Sequence, residues 1–306
     1  MPLLQSTGHL AALLTIFIWG ATYISTKILL TDFTPIEILF FRFLIGFVVL
    51  LIIYPYRLQI KIKKHEVYFA GAGLCGIMLY YLLENIALTY TMASNVGVIS
   101  SIVPFFTAIL AYLFLKEETL RPNFFLGFLI ATVGIFLISF NGATQFHVNP
   151  LGDFLAVLAT LVWACYTMIS KKISNFGYPT LPATRRIFLY GLLFMIPTLF
   201  LFDFKFGLYR FENGTLLFNI LFLGIGASAL CFVSWNFAVK KLGAVKTSVY
   251  IYLVPVITIL LSNLILNEQI TRQTIFGTFL TLTGLIFSES KLHLFRKRSI
   301  HHKQDC

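Results

Sequence analysis

The sequence predicts an all-α integral membrane protein of ten transmembrane helices, arranged as two inverted five-helix repeats. Three observations predict it. The first is composition: of 306 residues, 58% are hydrophobic and only 11% charged, with a mean hydropathy of +0.87. A soluble domain carries roughly 25% charged residues, and a water-soluble fold has nowhere to hide this much apolar surface. The second is a series of ten apolar runs, each near the ~20 residues that cross a hydrocarbon core as a helix. The third is a self-similarity that pairs the first half of the chain with the second.

The runs lie at roughly 9–30, 35–56, 67–89, 92–115, 122–140, 151–171, 182–202, 215–239, 243–266 and 273–290. The first has no Lys or Arg before Lys27 and no convincing cleavage site, so it reads as a retained span rather than a signal peptide. Pro35, Pro122, Pro150 and Pro179 mark boundaries. No run alternates polar and apolar residues, which argues against a membrane β-barrel. The chain divides into a short cytoplasmic N-terminus (1–8), a first repeat (9–140), a second repeat (151–290) and a basic cytoplasmic tail (291–306).

The net charge of +11 resides in short loops between apolar runs. That is the pattern of a topology signal, not of nucleic-acid binding. If the N-terminus is cytoplasmic, eighteen Lys and Arg residues between Arg57 and Lys303 fall on the cytoplasmic side, against Lys205, Arg210 and Arg272 opposite; Lys27 and Arg42 lie inside spans. Both termini are therefore expected in the cytoplasm, with the chain in an inner or plasma membrane. Cys75, Cys165 and Cys231 lie within apolar segments and Cys306 ends the chain, with no paired spacing. No disulfide frame, metal site or cofactor is expected. His301 and His302 near Cys306 have no acidic partners in register.

The self-similarity is specific. At an offset of 144, Trp19 meets Trp163, Lys27 meets Lys171, Pro35 meets Pro179 and Arg42 meets Arg186. At 151, Asn85 meets Asn236, Ala87 meets Ala238, Pro104 meets Pro255 and Glu117 meets Glu268. At 150, Gly127 meets Gly277 and Gly134 meets Gly284. Each half holds five spans, an odd number, so the second half must lie upside down relative to the first. Inverted repeats provide two similar energy minima, open to opposite sides, around a site near the midplane.

The stretch Trp19-Gly20-Ala21-Thr22-Tyr23, Pro35 followed by Arg42, and the prolines of spans four and nine with trailing Glu117 and Glu268 resemble the drug/metabolite transporter superfamily, in its EamA-type permeases. The resemblance covers residues 10–290. It implies ten helices, a central cavity walled mainly by spans 1, 3, 4, 6, 8 and 9, and passage of small metabolites. Members differ widely in substrate, so the cargo is not fixed by the resemblance. The second half departs from the first at Trp163-Ala164-Cys165 and at Asn267-Glu268.

Glu84 is the leading candidate residue. It lies deep in the third run, where a charged carboxylate costs about 2.5–3.5 kcal/mol on insertion scales. Desolvation favours the neutral form of a carboxyl, so Glu84 suits a coupling proton or the counter-charge of a cationic or zwitterionic substrate. The competing reading is a structural ion pair or a side chain reaching headgroups. Arg42, seven residues inside its run, fits either a substrate carboxylate or a structural pair with Glu37 or Glu84. Arg186 reads as solvated charge, and Lys27 and Lys171 as snorkelling ends. The aromatic set Trp19, Tyr23, Tyr80, Tyr81, Trp163, Tyr166, Trp235, Tyr250 and Tyr252 falls on the spans the resemblance assigns to the cavity; Trp19 and Trp163 are mid-span, which interfacial belts do not explain. Such a wall suits an amphipathic or cationic solute. Asn85 and Asn236, kept in both halves, are the leading polar candidates, against the alternative of bonding helix to helix. Pro104 and Pro255 are expected to kink spans 4 and 9 as gates or as static bends.

Together these residues point to a secondary active transporter of small organic metabolites, amino acids or related amphipathic or cationic compounds foremost, coupled to a proton or working by exchange. A broad-specificity exporter of organic cations is the alternative within the same fold. A receptor or an intramembrane enzyme is the alternative outside it; no nucleophile–base pair, GxSxG, HExxH or Walker A motif supports an enzyme. The partners expected are a small-molecule substrate, the lipid bilayer and a coupling proton, without nucleic acid. The glycines of spans 5 and 10 allow packing between two protomers or within one.

Overall fold

The computed structural model describes residues 2–115, 122–139, 150–202 and 204–289. Glu117, the basic tail and His301, His302 and Cys306 lie outside the described residues. In chain order the main helices are α1 (Ser6–Leu29), α2 (Pro35–Ile53), α3 (His65–Tyr90), α4 (Ala93–Phe114), α5 (Pro122–Ser139), α6 (Pro150–Asn175), α7 (Thr180–Leu201), α8 (Gly214–Leu242), α9 (Ala244–Leu266) and α10 (Arg272–Glu289). All regular structure among the described residues is helical. Among the described residues, α1 to α4 and α6 to α9, eight helices, are long and apolar enough to cross a membrane.

Local chemistry sets the helix ends. Pro35 opens α2 where its missing N–H is not needed, and Thr34 with Glu37 closes a reciprocal cap: Glu37 Oε2 accepts from the Thr34 amide at 2.8 Å, and Thr34 Oγ1 accepts from the Glu37 amide at 3.4 Å. Asn213 caps α8 by accepting from the Thr215 amide at 2.9 Å. α6 runs to Asn175, past the expected end at 171, carrying Lys171 and Lys172 into its last turns, where cations complement the helix dipole.

Four helices change winding within the span. In α3 a π stretch covers Leu74–Leu79, and in α8 one covers Phe222–Leu230. In α4 a 3₁₀ turn covers Ser100–Ile102, and in α9 one covers Val249–Leu253. The Ser100, Ser101 and Ser248 hydroxyls donate to carbonyls three residues back, at 2.6–2.8 Å. Pro104 and Pro255 stand second in the α-helical stretches that follow, where each lacks the N–H that would bond back into the preceding turn. At each proline the helix changes winding just upstream of the ring.

Packing is paired. α1 lies against α8 and α9, and α6 against α3 and α4; α2 packs on α8, and α7 on α3. α5 packs along α10. Glycines allow these approaches: a Cβ on Gly134 would come within 2.6 Å of the Gly277 carbonyl, and one on Gly284 within 2.6 Å of the Gly127 carbonyl. The glycines of α5 and α10 therefore serve contacts within one chain. Gly8 sits against Leu242 at the start of α1, as Gly152 sits against Tyr90 at the start of α6.

Several charges sit differently from expectation. Lys27 does not snorkel: its Nζ donates to the Leu88 and Thr91 carbonyls at 2.6 and 2.8 Å, satisfying the orphan acceptors at the end of α3. Glu37 pairs with Arg210 at 2.9 Å, not with Arg42, and also accepts from the Lys205 amide at 3.0 Å. Arg186 is not simply solvated; it pairs with Glu66 at 2.5 Å, and the Tyr190 hydroxyl donates to the same carboxylate at 2.7 Å. Arg185 is buried and donates to the Tyr54 and Tyr56 carbonyls. In each case the partner lies more than 50 residues away along the chain, out of reach of any local reading.

Candidate functional site

A narrow pocket lies where α1, α3, α4, α6 and α9 converge. Its space, counting the open mouth, is about 380 Å³. α1 contributes Trp19, Thr22 and Tyr23; α3 contributes Tyr80, Tyr81 and Glu84; α4 contributes Ser100 and Val103; α6 contributes Trp163; α9 contributes Ile251 and Val254. The π stretch of α3 ends at Leu79, immediately before this face. The 3₁₀ turns of α4 and α9 carry the lining residues Ser100 and Ile251, and Val103 and Val254 follow directly after them.

Glu84 is the carboxylate of the pocket and is only 4% exposed. It accepts a hydrogen bond from the Tyr80 hydroxyl at 2.6 Å, and Tyr23 lies within interaction range of Glu84, Tyr80 and Ser100. Among the described residues no cation lies within 4.0 Å of it. Glu84 is therefore neither a structural ion pair nor a headgroup-seeking side chain; it is an enclosed acid at a cavity wall, held by a phenol.

Around this acid the rings form one continuous cluster. Trp19 meets Trp163 edge-on at 5.1 Å and Trp235 at 5.1 Å; Tyr80 meets Trp163 at 4.7 Å; Tyr166 meets Trp163 at 4.8 Å. The Trp19 indole donates to the Ala227 carbonyl at 3.0 Å, which ties α1 to α8. An enclosed carboxylate beside electron-rich ring faces has the chemistry to hold a cationic group.

The profile of the EamA-like transporter family matches residues 6–140 and again residues 150–289. The chain belongs to this family. Among its relatives are an uncharacterized transporter of Archaeoglobus fulgidus, 27% identical over 301 residues (95% of this chain and all of the relative), and the uncharacterized transporter YyaM of Bacillus subtilis, 26% identical over 288 residues (90% and 91%). A crystal structure of another protein superposes with a TM-score of 0.67 at 19% identity, covering 93% of this chain and 96% of that one, a likeness of fold. The protein is a multi-pass membrane transporter.

Within the transporter, the expected residues divide. Trp19, Tyr23, Tyr80, Tyr81, Glu84 and Trp163 converge on the pocket. Tyr166 and Trp235 are buried behind it as packing. Asn85 and Asn236 are not in it. Asn85 donates to the Pro35 carbonyl at 3.0 Å. Asn236 accepts from Tyr166 and Ser170 at 2.8 and 2.6 Å and donates to Thr184 at 3.0 Å, tying α6, α7 and α8 together. It borders a second, smaller pocket with Ser170, Thr184 and Lys240. Tyr250 turns away to His9, and Tyr252 packs beside Ala131 on α5. The sequence reading missed Thr22, Val103, Ile251 and Val254. Thr22 was legible one turn from Trp19; on α9 the pocket face is carried by Ile251 and Val254, three residues apart across the 3₁₀ turn, and not by the neighbouring tyrosines.

Arg42 is fully buried on α2, behind Tyr81. Its guanidinium lies 4.1 Å from the centre of the Tyr81 ring, and its Nε donates to Ser228 Oγ at 3.1 Å. It pairs with neither Glu37 nor Glu84.

Proposed function

We propose that this transporter is a secondary active carrier of small organic metabolites, amino acids or related amphipathic and cationic compounds foremost, working by alternating access and driven by a proton gradient or by exchange. The observation that carries the reading is Glu84: an enclosed carboxylate without a cationic partner among the described residues, bonded to the Tyr80 phenol and facing an aromatic pocket. Its two expected states, protonated or bound to a cationic head, are the two states a coupled carrier needs.

The ten-span, inverted-repeat reading is supported by the two successive family matches and by the paired packing of α1 on α8 and α6 on α3. It is supported also by the recurrence of a π stretch in α3 and α8 and a 3₁₀ turn in α4 and α9. In this reading α5 and α10 also cross the bilayer, the two halves rock about the pocket, and the winding changes at Pro104 and Pro255 are its gate bends. The Lys and Arg distribution supports cytoplasmic termini, and in this reading the chain lies in the inner or plasma membrane.

The test is flux into proteoliposomes under an imposed pH gradient, with labelled amino acids and organic cations, for wild type and Glu84→Gln. Saturable, gradient-driven flux abolished by the substitution supports the reading. Saturable flux that Glu84→Gln leaves intact removes Glu84 from coupling. Saturable flux restricted to a broad set of aromatic cations replaces the amino-acid reading with that of an organic-cation exporter.

A further inference from the structure

The buried and half-buried arginines of the bundle differ in how fully their guanidinium groups are used. Arg185 reaches two carbonyls, Arg186 reaches Glu66, and Arg210 reaches Glu37 and the carbonyls of Asp32 and Lys205. Arg42 is 0% exposed, yet neither its Nη1 nor its Nη2 has a hydrogen-bond partner among the described residues. Only its Nε is used, by Ser228. A buried guanidinium needs acceptors for its remaining donors, and an unsatisfied one calls for an explanation. The rings that meet it are Tyr81, at 4.1 Å, and Phe43, at 5.2 Å, and Tyr81 is also a wall of the pocket that holds Glu84. Tyr81 and Glu84 are three residues apart on α3, so they share one helix face. The structure thus holds one buried cation and one buried acid, with no ion pair within 4.0 Å for either among the described residues: the cation lies against Tyr81, and the acid lines the same pocket wall as Tyr81.

Building on the carrier reading above, we infer that Arg42 receives the carboxylate of a zwitterionic substrate, with Tyr81 rotating off the guanidinium to admit it while Glu84 holds the substrate's ammonium group. The unengaged terminal nitrogens supply the donors of a fork, and a carboxylate is the planar acceptor that matches it. Cation–π contact with Tyr81 holds the guanidinium in the empty state and is exchanged for the carboxylate in the bound state. The assignment narrows the substrate class from amphipathic and cationic compounds to α-amino acids and their close kin. An amine or amide of the same shape leaves Arg42 buried and unpaired, and a site built to bond a missing group discriminates strongly against its absence.

The experiment uses the full chain in proteoliposomes and a panel of labelled amino acids. Each one transported is paired with its carboxamide and its decarboxylated amine as competitors. In wild type the amide and the amine are expected to compete at least tenfold less well than the acid. In Arg42→Gln that gap is expected to close to within about twofold, with inhibition by the amine retained. Equal competition by acid and amide in wild type overturns the assignment, as does a gap that survives in Arg42→Gln; in both cases the carrier reading stands. If Arg42→Gln does not yield a monodisperse protein, the wild-type comparison decides, with Arg42→Lys, which keeps the charge and loses the fork, expected to fall between. Absence of saturable flux for every amino acid removes the amino-acid reading and this assignment together.

Discussion

At the scale of single residues, the structure separates charges that hold the fold from charges that serve the pocket. Glu37 is 1% exposed in its side chain and is met by Arg210 and by two amides, whereas Glu66 and Arg186 are 28% and 33% exposed. Removing one member of a buried pair strands the other and costs about 3–5 kcal/mol; an exposed pair is worth about 0–1 kcal/mol. Glu37→Ala is therefore expected to lower the thermal unfolding temperature in detergent far more than Glu66→Ala. Equal shifts would show that the Glu37 pair is not the clamp its burial implies. In the pocket, Tyr80→Phe deletes the hydroxyl that bonds Glu84 and little else. A hydrogen bond to a charged group contributes about 1.5–3 kcal/mol, so a fall in transport at low substrate concentration of at least about tenfold is expected, with the protein still folded and only modestly lowered in unfolding temperature. Wild-type flux in Tyr80→Phe would mean that Glu84 does not use that bond in the transport cycle. Glu84 itself was legible from the sequence, because one carboxylate in a long apolar run is conspicuous. Its phenol was less so, although Tyr80 lies one helical turn before it. The carbonyls that engage Lys27 and the arginine that engages Glu37 were not legible, since each belongs to a distant helix.

At the scale of elements, the spans could be read within a few residues from hydropathy and proline, but their faces could not. In segments apolar on every side, no periodicity marks which side looks inward. The 3₁₀ turn at Val249–Leu253 advances about 120° per residue in place of 100°, a drift of roughly 100° over five residues. At about 120° per residue, positions three apart fall in line, as Ile251 and Val254 do on the pocket face, and Tyr250 and Tyr252, on either side of Ile251, point elsewhere. The contact of α5 with α10 rests on another feature the sequence offered only as glycines without partners. Cβ atoms on Gly134 or Gly284 would lie 2.4–2.6 Å from the nearest atoms of the opposite helix, most of them backbone that cannot swing aside. Overpacking of this kind costs about 1–3 kcal/mol or more. Gly134→Leu and Gly284→Leu are each expected to lower the unfolding temperature measurably, while Gly214→Ala, whose new Cβ would meet nothing within 4 Å, is expected to leave it unchanged. Equal stability of all three variants would mean that the α5–α10 contact carries no weight in the fold.

At the scale of the whole molecule, the central question is whether the two halves move against each other around the pocket. The structure is fastened at both ends of the bundle. At one end Thr91, just past α3, donates to Asp153 on α6 at 3.0 Å, and Glu268, just past α9, accepts from the Ala93 and Ser94 amides of α4. At the other end His9 on α1 meets Tyr250 on α9, and Gly8 sits against Leu242 on α8. A rocking carrier must break each set in turn, whereas a rigid pore need break neither. This difference can be tested by tethering in a background where the native cysteines are replaced by alanine. Thr91→Cys with Asp153→Cys ties one end, and His9→Cys with Tyr250→Cys ties the other. Oxidative cross-linking at either end is expected to stop flux, and reduction to restore it, because a cycle halted in either half is halted altogether. If flux persists with one end demonstrably cross-linked, the path to the pocket opens without separating the helices at that end. Rocking of two inverted halves would then give way to a smaller movement, with the winding changes in α4 and α9, beside Pro104 and Pro255, as the elements placed to make it.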